Sequence, residues 1–355
     1  MSLWLALAVG AGISFFLIKS RWNYLRLPEI PEASGRRERL DLAVVIPARN
    51  EENKIARAVQ SLSRGRVYVV DDASSDATAL RARKAGATVM TAPPLPAGFA
   101  GKPHACWHGA RATSSKWILF ADADTWYEPA FLPSLLRFAE DGQLDMVSVF
   151  LRQECVTLAE KVLIPYAFAL YFCGVSGRAV NRATSPEALA NGQCMLFRRE
   201  AYNLIGGHAA VIGSVIEDVE LAEVAKRHRV KSLVMRGEKL GRVRMYEGLR
   251  DISRGFRKNS FRFLLANPWT GMQVVAASVL LASYLPVLAL LAFEARWFAL
   301  AAFAVLPPAL LAPWYGGLPR ALLAPLAIYP FQWIALRGMI ATTLGRPVVW
   351  KGRTV

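Results

Sequence analysis

Polar clusters rich in acids stand at the ends of short apolar runs, and no other feature of the chain constrains its fold as tightly. Leu42-Ala43-Val44-Val45-Ile46 leads into Pro47-Ala48-Arg49-Asn50-Glu51-Glu52, Arg66-Val67-Tyr68-Val69-Val70 into Asp71-Asp72, and Trp117-Ile118-Leu119-Phe120 into Ala121-Asp122-Ala123-Asp124. Residues 87–90 and 146–149 are further runs of this kind. Runs that are apolar without alternation suit strands buried on both faces. Helix-like stretches, such as Glu51–Ser63 and Ala77–Ala85, lie between them. Strands alternating with helices predict βαβ units, and hence an α/β domain with a mostly parallel sheet. Ligands of such sheets bind outside the carboxyl ends of the strands, where these clusters fall.

Each cluster also has a plain structural reading. Glu51 and Glu52 suit the first turn of a helix, where the helix dipole favours acids. Ser75 or Asp76 can cap the helix after the second run. Capping leaves Asp71 and Asp72 unexplained, because adjacent like charges cost energy unless a ligand or cation uses them. In Asp122-Ala123-Asp124 both carboxylates can reach one cation. Hard oxygen donors suit Mg²⁺ or Mn²⁺, which bridge diphosphate oxygens and neutralise charge on a departing nucleoside diphosphate. A lone D-x-D is common in surface loops; behind a buried strand and two earlier clusters it points to this chemistry. Glu217-Asp218 is either the acidic first turn of a helix or a general base for an acceptor hydroxyl, and the upstream D-x-D favours the base.

The hydrophobic fraction, 54%, is high for a soluble enzyme, yet 20% of residues are charged and these concentrate between Lys19 and Arg262. A globular domain held between apolar ends is the expectation. Residues 1–18 carry no charge and are close to the minimum for a spanning helix. Lys19, Arg21 and Arg26 follow that stretch instead of preceding it, which favours an uncleaved anchor over a signal peptide and puts its carboxyl end in the cytoplasm. Further apolar runs cover 272–293, 297–314 and 321–336, and the tail carries Arg337, Arg346, Lys351 and Arg353. Three spans would leave that basic tail outside, whereas two spans and one re-entrant or interfacial helix keep it in. Pro307-Pro308 and Pro313 are expected to break the middle run. The organisation expected is therefore an anchor at 1–18, a basic linker at 19–40, a catalytic domain at 41–262, a C-terminal transmembrane region at 263–338 and a basic cytoplasmic tail at 339–355. That describes a multi-pass cell-membrane protein whose catalytic domain faces the cytoplasm. The net charge of +16 suits a domain lying on anionic membrane lipids, each Lys or Arg there contributing about 1 kcal/mol. No nucleic-acid motif stands in its expected context, so nucleic acid is not an expected partner, and no protein partner is indicated. Cys106, Cys155, Cys173 and Cys194 form no zinc or redox pattern and read as small buried hydrophobes.

Taken in order, V-V-I-P-A-R-N-E-E at 44–52, V-V-D-D-A-S-S-D-A-T at 69–78, A-D-A-D-T at 121–125 and I-E-D-V at 216–219 resemble the family 2 glycosyltransferases of the GT-A fold. The resemblance covers roughly residues 41–225 and implies inverting sugar transfer from a nucleotide-sugar donor, a UDP-sugar. The block Gly98-Phe99-Ala100-Gly101-Lys102-Pro103-His104-Ala105-Cys106 is similar to the branch acting on apolar acceptors, which includes carotenoid-acid and hopanoid-cluster enzymes. The tail from Val348 to Arg353 is similar to theirs and to that of ceramide glucosyltransferases. Processive and ceramide-type members carry Q-x-x-R-W after the base, a motif this chain lacks, so a single transfer to a lipid-like acceptor is expected.

The resemblance implies that Pro47, Arg49 and Glu51 line the nucleotide pocket. Asp72, with Asp71, contacts uracil or ribose, and Lys102 lies near the donor sugar or phosphates. Asp122 contacts the nucleotide-sugar and Asp124 holds the metal, Mg²⁺ or Mn²⁺. Asp218 is the first candidate for the base and Glu217 the second. Asn191 and Gly192 shape the acceptor pocket. His208 contacts acceptor or metal, or is structural. Arg244, Arg257 or Lys258 hold the diphosphate, or are basic residues of an interface helix. The apolar stretch Leu158–Val175 is either a core helix or an interfacial helix opening the site to lipid. Two rivals share the donor site: a polyprenyl-phosphate glycosyltransferase, and an inactive nucleotide-sugar-binding membrane protein, which would need no base.

Overall fold

The computed structural model describes residues 2–32, 40–214, 216–266, 268–344, 349–350 and 353–354; side chains at 258–266, at 342 and after 344 lie outside that description. The chain opens with helix α1 (Ser2–Leu25). Then come β1 (Leu42–Ala48), α2 (Ile55–Ser61), β2 (Arg66–Asp71), α3 (Thr78–Lys84), β3 (Thr88–Thr91), α4 (Gly101–Arg111) and β4 (Trp117–Ala121). Next are β5 (Thr125–Tyr127), α5 (Phe131–Asp141), β6 (Met146–Phe150), β7 (Arg152–Gln153), α6 (Leu158–Gly174) and α7 (Gly177–Val180). They lead to β8 (Cys194–Arg198), α8 (Arg199–Leu204), a 3-10 turn at Gly207–Val211, α9 (Glu217–Arg227), β9 (Ser232–Arg236) and β10 (Gly241–Val243). The last third is helical: α10 (Leu249–Ala266), α11 (Pro268–Ala282), α12 (Tyr284–Phe293), α13 (Trp297–Tyr315), α14 (Leu318–Ala321) and α15 (Pro325–Thr343). A short hairpin of β11 (Val349–Trp350) and β12 (Arg353–Thr354) closes the chain.

All the apolar runs singled out in the globular part become strands of one seven-stranded sheet, ordered β3-β2-β1-β4-β8-β6-β9. The sheet is parallel except for β8, which runs antiparallel between β4 and β6. Why these strands lack polar alternation is visible in their packing. Leu42, Val44, Ile46 and Leu119 face one core with Ile55 and Val59 of α2 and Phe131 of α5. Val45, Ile118 and Phe120 face the other, with Ala105 and Cys106 of α4 and Leu221 of α9. Successive side chains point to opposite faces, and both faces are covered. Helix α4 lies against the sheet at Gly109, where a Cβ would come within 2.4 Å of Val45 Cγ1 and 2.8 Å of Val70 Cγ2. A second, three-stranded sheet, β5-β10-β7, stands beyond the carboxyl ends of the first.

Among the described residues three helical segments are long and apolar enough to cross a membrane: Ser2–Leu25, Pro268–Phe293 and Trp297–Tyr315. The first continues past residue 18 through Lys19 and Arg21 to Leu25, so the basic stretch begins as helix. The expected break at Pro307-Pro308 does not occur, for α13 runs through all three of its prolines. Pro308 has no N–H for the Ala304 carbonyl, and the Tyr284 hydroxyl donates to that oxygen at 2.6 Å instead. The third apolar run forms α15, which packs on α10, α6 and α11. α1 lies antiparallel to α11 and α12: Ser2 donates to Glu294 at one end and Lys19 to Gln273 at the other. Helix α6 joins these helices to the globular part. It packs on α1, α11 and α13, and Gly174 lets it approach α11 where a Cβ would lie 2.5 Å from the Thr270 carbonyl oxygen.

Candidate active site

The first two polar clusters form one interlocked loop pair at the ends of β1 and β2. The Asp72 N–H donates to the Ala48 carbonyl at 2.8 Å, and the Arg49 guanidinium donates to the Asp72 and Ala73 carbonyls at 2.7 and 3.3 Å. The Asn50 N–H reaches Ser74 Oγ at 3.0 Å, the Ser75 N–H reaches Asn50 Oδ1 at 2.9 Å, and the Glu51 N–H reaches Thr78 Oγ1 at 2.7 Å. Asn50 and Ala73 both take positive φ, 54° and 55°. That conformation costs a non-glycine residue on the order of 1 kcal/mol, and these cross-loop bonds hold it. Asp71 and Asp72 are both buried, and of the two Asp72 borders the cavity described below.

Lys102, in the first turn of α4, is the hub of the acidic side. Its ammonium lies 2.7 Å from Asp122 Oδ1 and 3.2 Å from Glu217 Oε1, and donates to the Gly192 carbonyl at 3.3 Å. Burial would pull its pKa down, but Asp122 and Glu217 outweigh burial and hold it well above the usual lysine range. Asp218 accepts the Gly192 N–H on Oδ2 at 2.7 Å and the Val219 N–H on Oδ1 at 2.9 Å. Burial first, and the Glu217 charge second, push its carboxyl up to about 6, against Lys102 and the two amides. A Cβ at position 192 would lie 2.9 Å from Lys102 Nζ and 3.2 Å from Asp218 Oδ2, so a larger residue there would displace these two side chains. The Asn191 N–H donates to Ser148 Oγ at 2.7 Å, which fixes the turn entering β8. The D-x-D loop is held at both ends: the Asp122 N–H donates to the Gln193 carbonyl at 3.2 Å, and the Asp124 carbonyl accepts the Arg244 N–H at 3.1 Å.

Other expected site residues stand back from this cluster. His208 is 2% exposed, with Nδ1 2.9 Å from the Tyr202 hydroxyl and its ring edge-on to Phe120 at 4.4 Å. Burial lowers its pKa to about 3, so it is a neutral ring packed behind Lys102 and Glu217. Arg244 Nη2 lies 3.2 Å from Glu160. Arg257 sits on α10 with its backbone against Gly338 of α15. Among the described residues none of these three lines the main cavity, although their neighbours Met245, Tyr246 and Phe256 do. The Lys258 side chain lies outside the described residues.

Glu160 is the residue that motif reading passed over. It is fully buried at the start of α6. It accepts from the Val156 N–H at 2.6 Å, the Thr157 hydroxyl at 2.9 Å and the Gly248 N–H at 2.9 Å, besides Arg244. Burial pushes its carboxyl up, yet these bonds prevail and hold it at about 2. The sequence did carry a signal: Thr157-Leu158-Ala159-Glu160 is a capping box ahead of an apolar run, and the structure forms it. Glu160→Ala is expected to cost about 3–5 kcal/mol, because it strands Arg244 and the backbone amides of Val156, Thr157 and Gly248. A clearly lowered unfolding temperature in detergent is the expected reading, and an unchanged one counts against the role. Its contribution is present above the ordinary glutamate range and is lost as pH falls through about 2.

A cavity of about 1250 Å³ connects the acidic cluster to the membrane-type helices. Pro47, Arg49, Glu51, Asp72, Lys102, Asp122 and Asp124 line one end, Asn191, Gly192, Glu217 and Asp218 the middle. The far end is a chamber among α6, α11, α12 and α15, lined by Phe168, Tyr171, Val275, Val279, Phe331 and Trp333. Among the described residues no three His, Cys, Asp or Glu side chains are grouped to hold a metal alone. Asp122 and Asp124 both face the cavity, and one or two carboxylates with ligand phosphates and water are how Mg²⁺-type ions are commonly held. The donor set fits such an ion.

Comparison with known proteins agrees with this geometry. Residues 43–205 match the model of Glycosyl transferase family 2. A 4,4'-diaponeurosporenoate glycosyltransferase of Staphylococcus haemolyticus (strain JCSC1435) is 28% identical over 227 residues, 61% of this chain and 60% of that protein. The protein of the same name from Staphylococcus aureus (strain MRSA252) is 27% identical over 232 residues, with the same coverage. The chain thus spans about three fifths of the length of the curated relatives it matches. A mannosyltransferase from Pyrobaculum calidifontis, solved in complex with GDP-Man and Mn2+, shares the fold with a TM-score of 0.50 at 17% identity, over 93% of this chain and 99% of that one. The strand order, the acidic strand ends and the family match agree that residues 43–205 form a domain similar to the Glycosyl transferase family 2, on the fold shared with the mannosyltransferase.

Proposed function

We propose that the protein moves a single sugar, with inversion, from a nucleotide-sugar, a UDP-sugar, to a lipid-like acceptor such as a carotenoid or hopanoid drawn from the bilayer. The continuous cavity carries this reading, because it joins a polar donor end to an apolar chamber between membrane-type helices. Arg49, Glu51 and Asp72 border the nucleoside side, and Lys102, Asp122 and Asp124 the diphosphate side. Asp122 and Asp124 would hold Mg²⁺ or Mn²⁺, which supplies positive charge against the leaving diphosphate. The acceptor oxygen attacks the anomeric carbon from the face opposite the departing diphosphate, and Asp218 takes its proton. The names of the relatives, which carry a polyene acid, support an apolar acceptor. The test is mass spectrometry of lipid extracts incubated with purified protein and isotopically labelled UDP-sugars. A labelled lipid glycoside is expected; label found only in water-soluble products would refute the reading.

The catalytic domain faces the cytoplasm in this proposal. Lys19, Arg21 and Arg26 close α1 on that side. The paired spans 268–293 and 297–315 return the chain there, which keeps Arg337 and the basic tail inside with α15 as a non-spanning helix. A cysteine placed at exposed Arg83 is expected to resist impermeant maleimide in intact cells and react after lysis. Rapid labelling before lysis would overturn the orientation.

A further inference from the structure

Helix α4 carries a second group of metal-type donors, apart from the acidic cluster. His104 and His108 stand one helical turn apart, so their rings are neighbours on one face. Their Nε2 atoms are 3.1 Å apart. A straight N–H···N bond would set the ring centroids further apart than the nitrogens by two ring radii. The centroids are 4.5 Å apart, only 1.4 Å more than the nitrogens at 3.1 Å, and the ring planes cross at 74°. The rings therefore lie tilted side by side, not head to head. Two imidazole nitrogens bound to one ion at about 2.0–2.1 Å, at square or tetrahedral angles, stand about 2.9–3.4 Å from each other. The pair already has that spacing. Among the described residues neither ring belongs to the lining of the main cavity. His104 is buried and His108 half-buried, so an ion reaches the pair from the His108 side.

We propose that His104 and His108 form a second metal site, for a nitrogen-preferring divalent ion of the Zn²⁺, Ni²⁺ and Cu²⁺ class, distinct from the oxygen donors Asp122 and Asp124. The two donor sets sort ions by chemistry. Imidazole suits Zn²⁺, Ni²⁺ and Cu²⁺, whereas carboxylate, phosphate and water suit Mg²⁺ and Mn²⁺. Burial first, then His104 and Arg111, hold the His108 ring below the usual histidine range, so at neutral pH it is in the neutral form that a metal needs. The Arg111 guanidinium itself lies over the Trp107 ring, 5.0 Å from its centroid. The other two of the four histidines do not compete as a pair, for His208 is buried against Tyr202 and His228 caps the end of α9. With two protein donors and water completing the shell, binding is reversible. The His104 N–H donates to the Ala100 carbonyl at 3.2 Å, and the Ala100 N–H to the Ile212 carbonyl at 2.8 Å. An ion across the pair clamps the next turn of that same helix, whose first turn presents Lys102 to Asp122 and Glu217. It stabilises the folded protein by mass action.

The test reads binding and needs no sugar transfer. Trp107 is a built-in reporter, with its ring 4.9 Å from that of His108. Full-length protein without a histidine tag, in detergent and in excess Mg²⁺, is titrated with Ni²⁺, which quenches indole fluorescence. Saturable quenching of part of the emission is expected. It should be missing in Trp107→Phe, lost in His108→Ala and retained in Asp124→Ala. Zn²⁺ added to the same samples should raise the unfolding temperature of the wild type and of Asp124→Ala, and leave that of His108→Ala unchanged. Should His108→Ala fail to fold, His108→Gln takes its place, since it keeps a polar side chain and has no imidazole. Absence of saturable quenching in the wild type overturns the proposal. So does quenching that survives in the His108 variant, and so does quenching lost in Asp124→Ala, which would put the ion at the D-x-D loop.

Discussion

EDTA added to the purified protein is expected to abolish sugar transfer, and Mg²⁺ or Mn²⁺ to restore it. Asp124→Ala is expected to lower turnover by about 10³-fold, roughly 4 kcal/mol, with no recovery on adding either ion. The two carboxylates of the D-x-D loop differ in what they already hold. Asp122 Oδ1 is engaged by Lys102 at 2.7 Å, so part of its charge is spent inside the protein. Asp124 faces the same cavity one residue further on, and its main chain is fixed by the Arg244 N–H at 3.1 Å. Removing its side chain therefore leaves the loop path supported while taking away an oxygen donor. Asp122→Ala acts differently, because it frees Lys102 from its shortest ion pair and changes the charge at Glu217 and Asp218 as well. Full activity in EDTA, or Asp124→Ala turnover within tenfold of wild type, would dismiss the metal role.

How much of this was legible beforehand depended on which interactions make each element. Strands β1, β2, β4 and β6 were visible as apolar runs because both sheet faces are covered, which favours apolar residues at successive positions. The acids at their ends were visible because like charges placed side by side have no cheap structural explanation. Strand β8 was passed over: Asn191 and Gly192 drew attention as shapers of the acceptor pocket, and the run Cys194-Met195-Leu196-Phe197 after them was not read as a strand. Its antiparallel course between β4 and β6 brings Gly192 to Lys102 and Asp218, a contact between residues 90 and 26 positions apart. The three-stranded sheet had no signal, since strands of two or three residues show no period and exist through their pairing alone. The unbroken α13 was hidden for a related reason. The proline rule is local, but the Tyr284 hydroxyl that supplies the missing donor comes from another helix. Glu160 was hidden because its bonds to Gly248 and Arg244 join positions 88 and 84 residues apart.

Asp218→Asn is expected to reduce turnover by about 10²–10⁴-fold, the usual range for removing a positioned base. The carboxylate is prepared for that task by conflicting surroundings. Burial and Glu217 raise its pKa to about 6, while the Gly192 and Val219 amides and Lys102 favour the charged form. A base with a pKa near neutrality is charged enough to accept a proton and basic enough to hold it as the acceptor oxygen attacks. Asparagine keeps the shape and loses the basicity. It has one carbonyl oxygen, so one of the two amides must face its NH₂ group, and a modest loss of thermal stability accompanies the substitution. Titration with the UDP-sugar separates that loss from the catalytic one. Donor affinity should stay within a few-fold of wild type, because Lys102, Asp122 and Asp124 keep their own contacts and Asp218 bonds none of them directly. Turnover that survives Asp218→Asn at near wild-type rate would remove the base assignment. Donor affinity that collapses would move Asp218 to the donor side and leave Glu217, 3.2 Å from the Lys102 ammonium, as the remaining candidate for proton transfer.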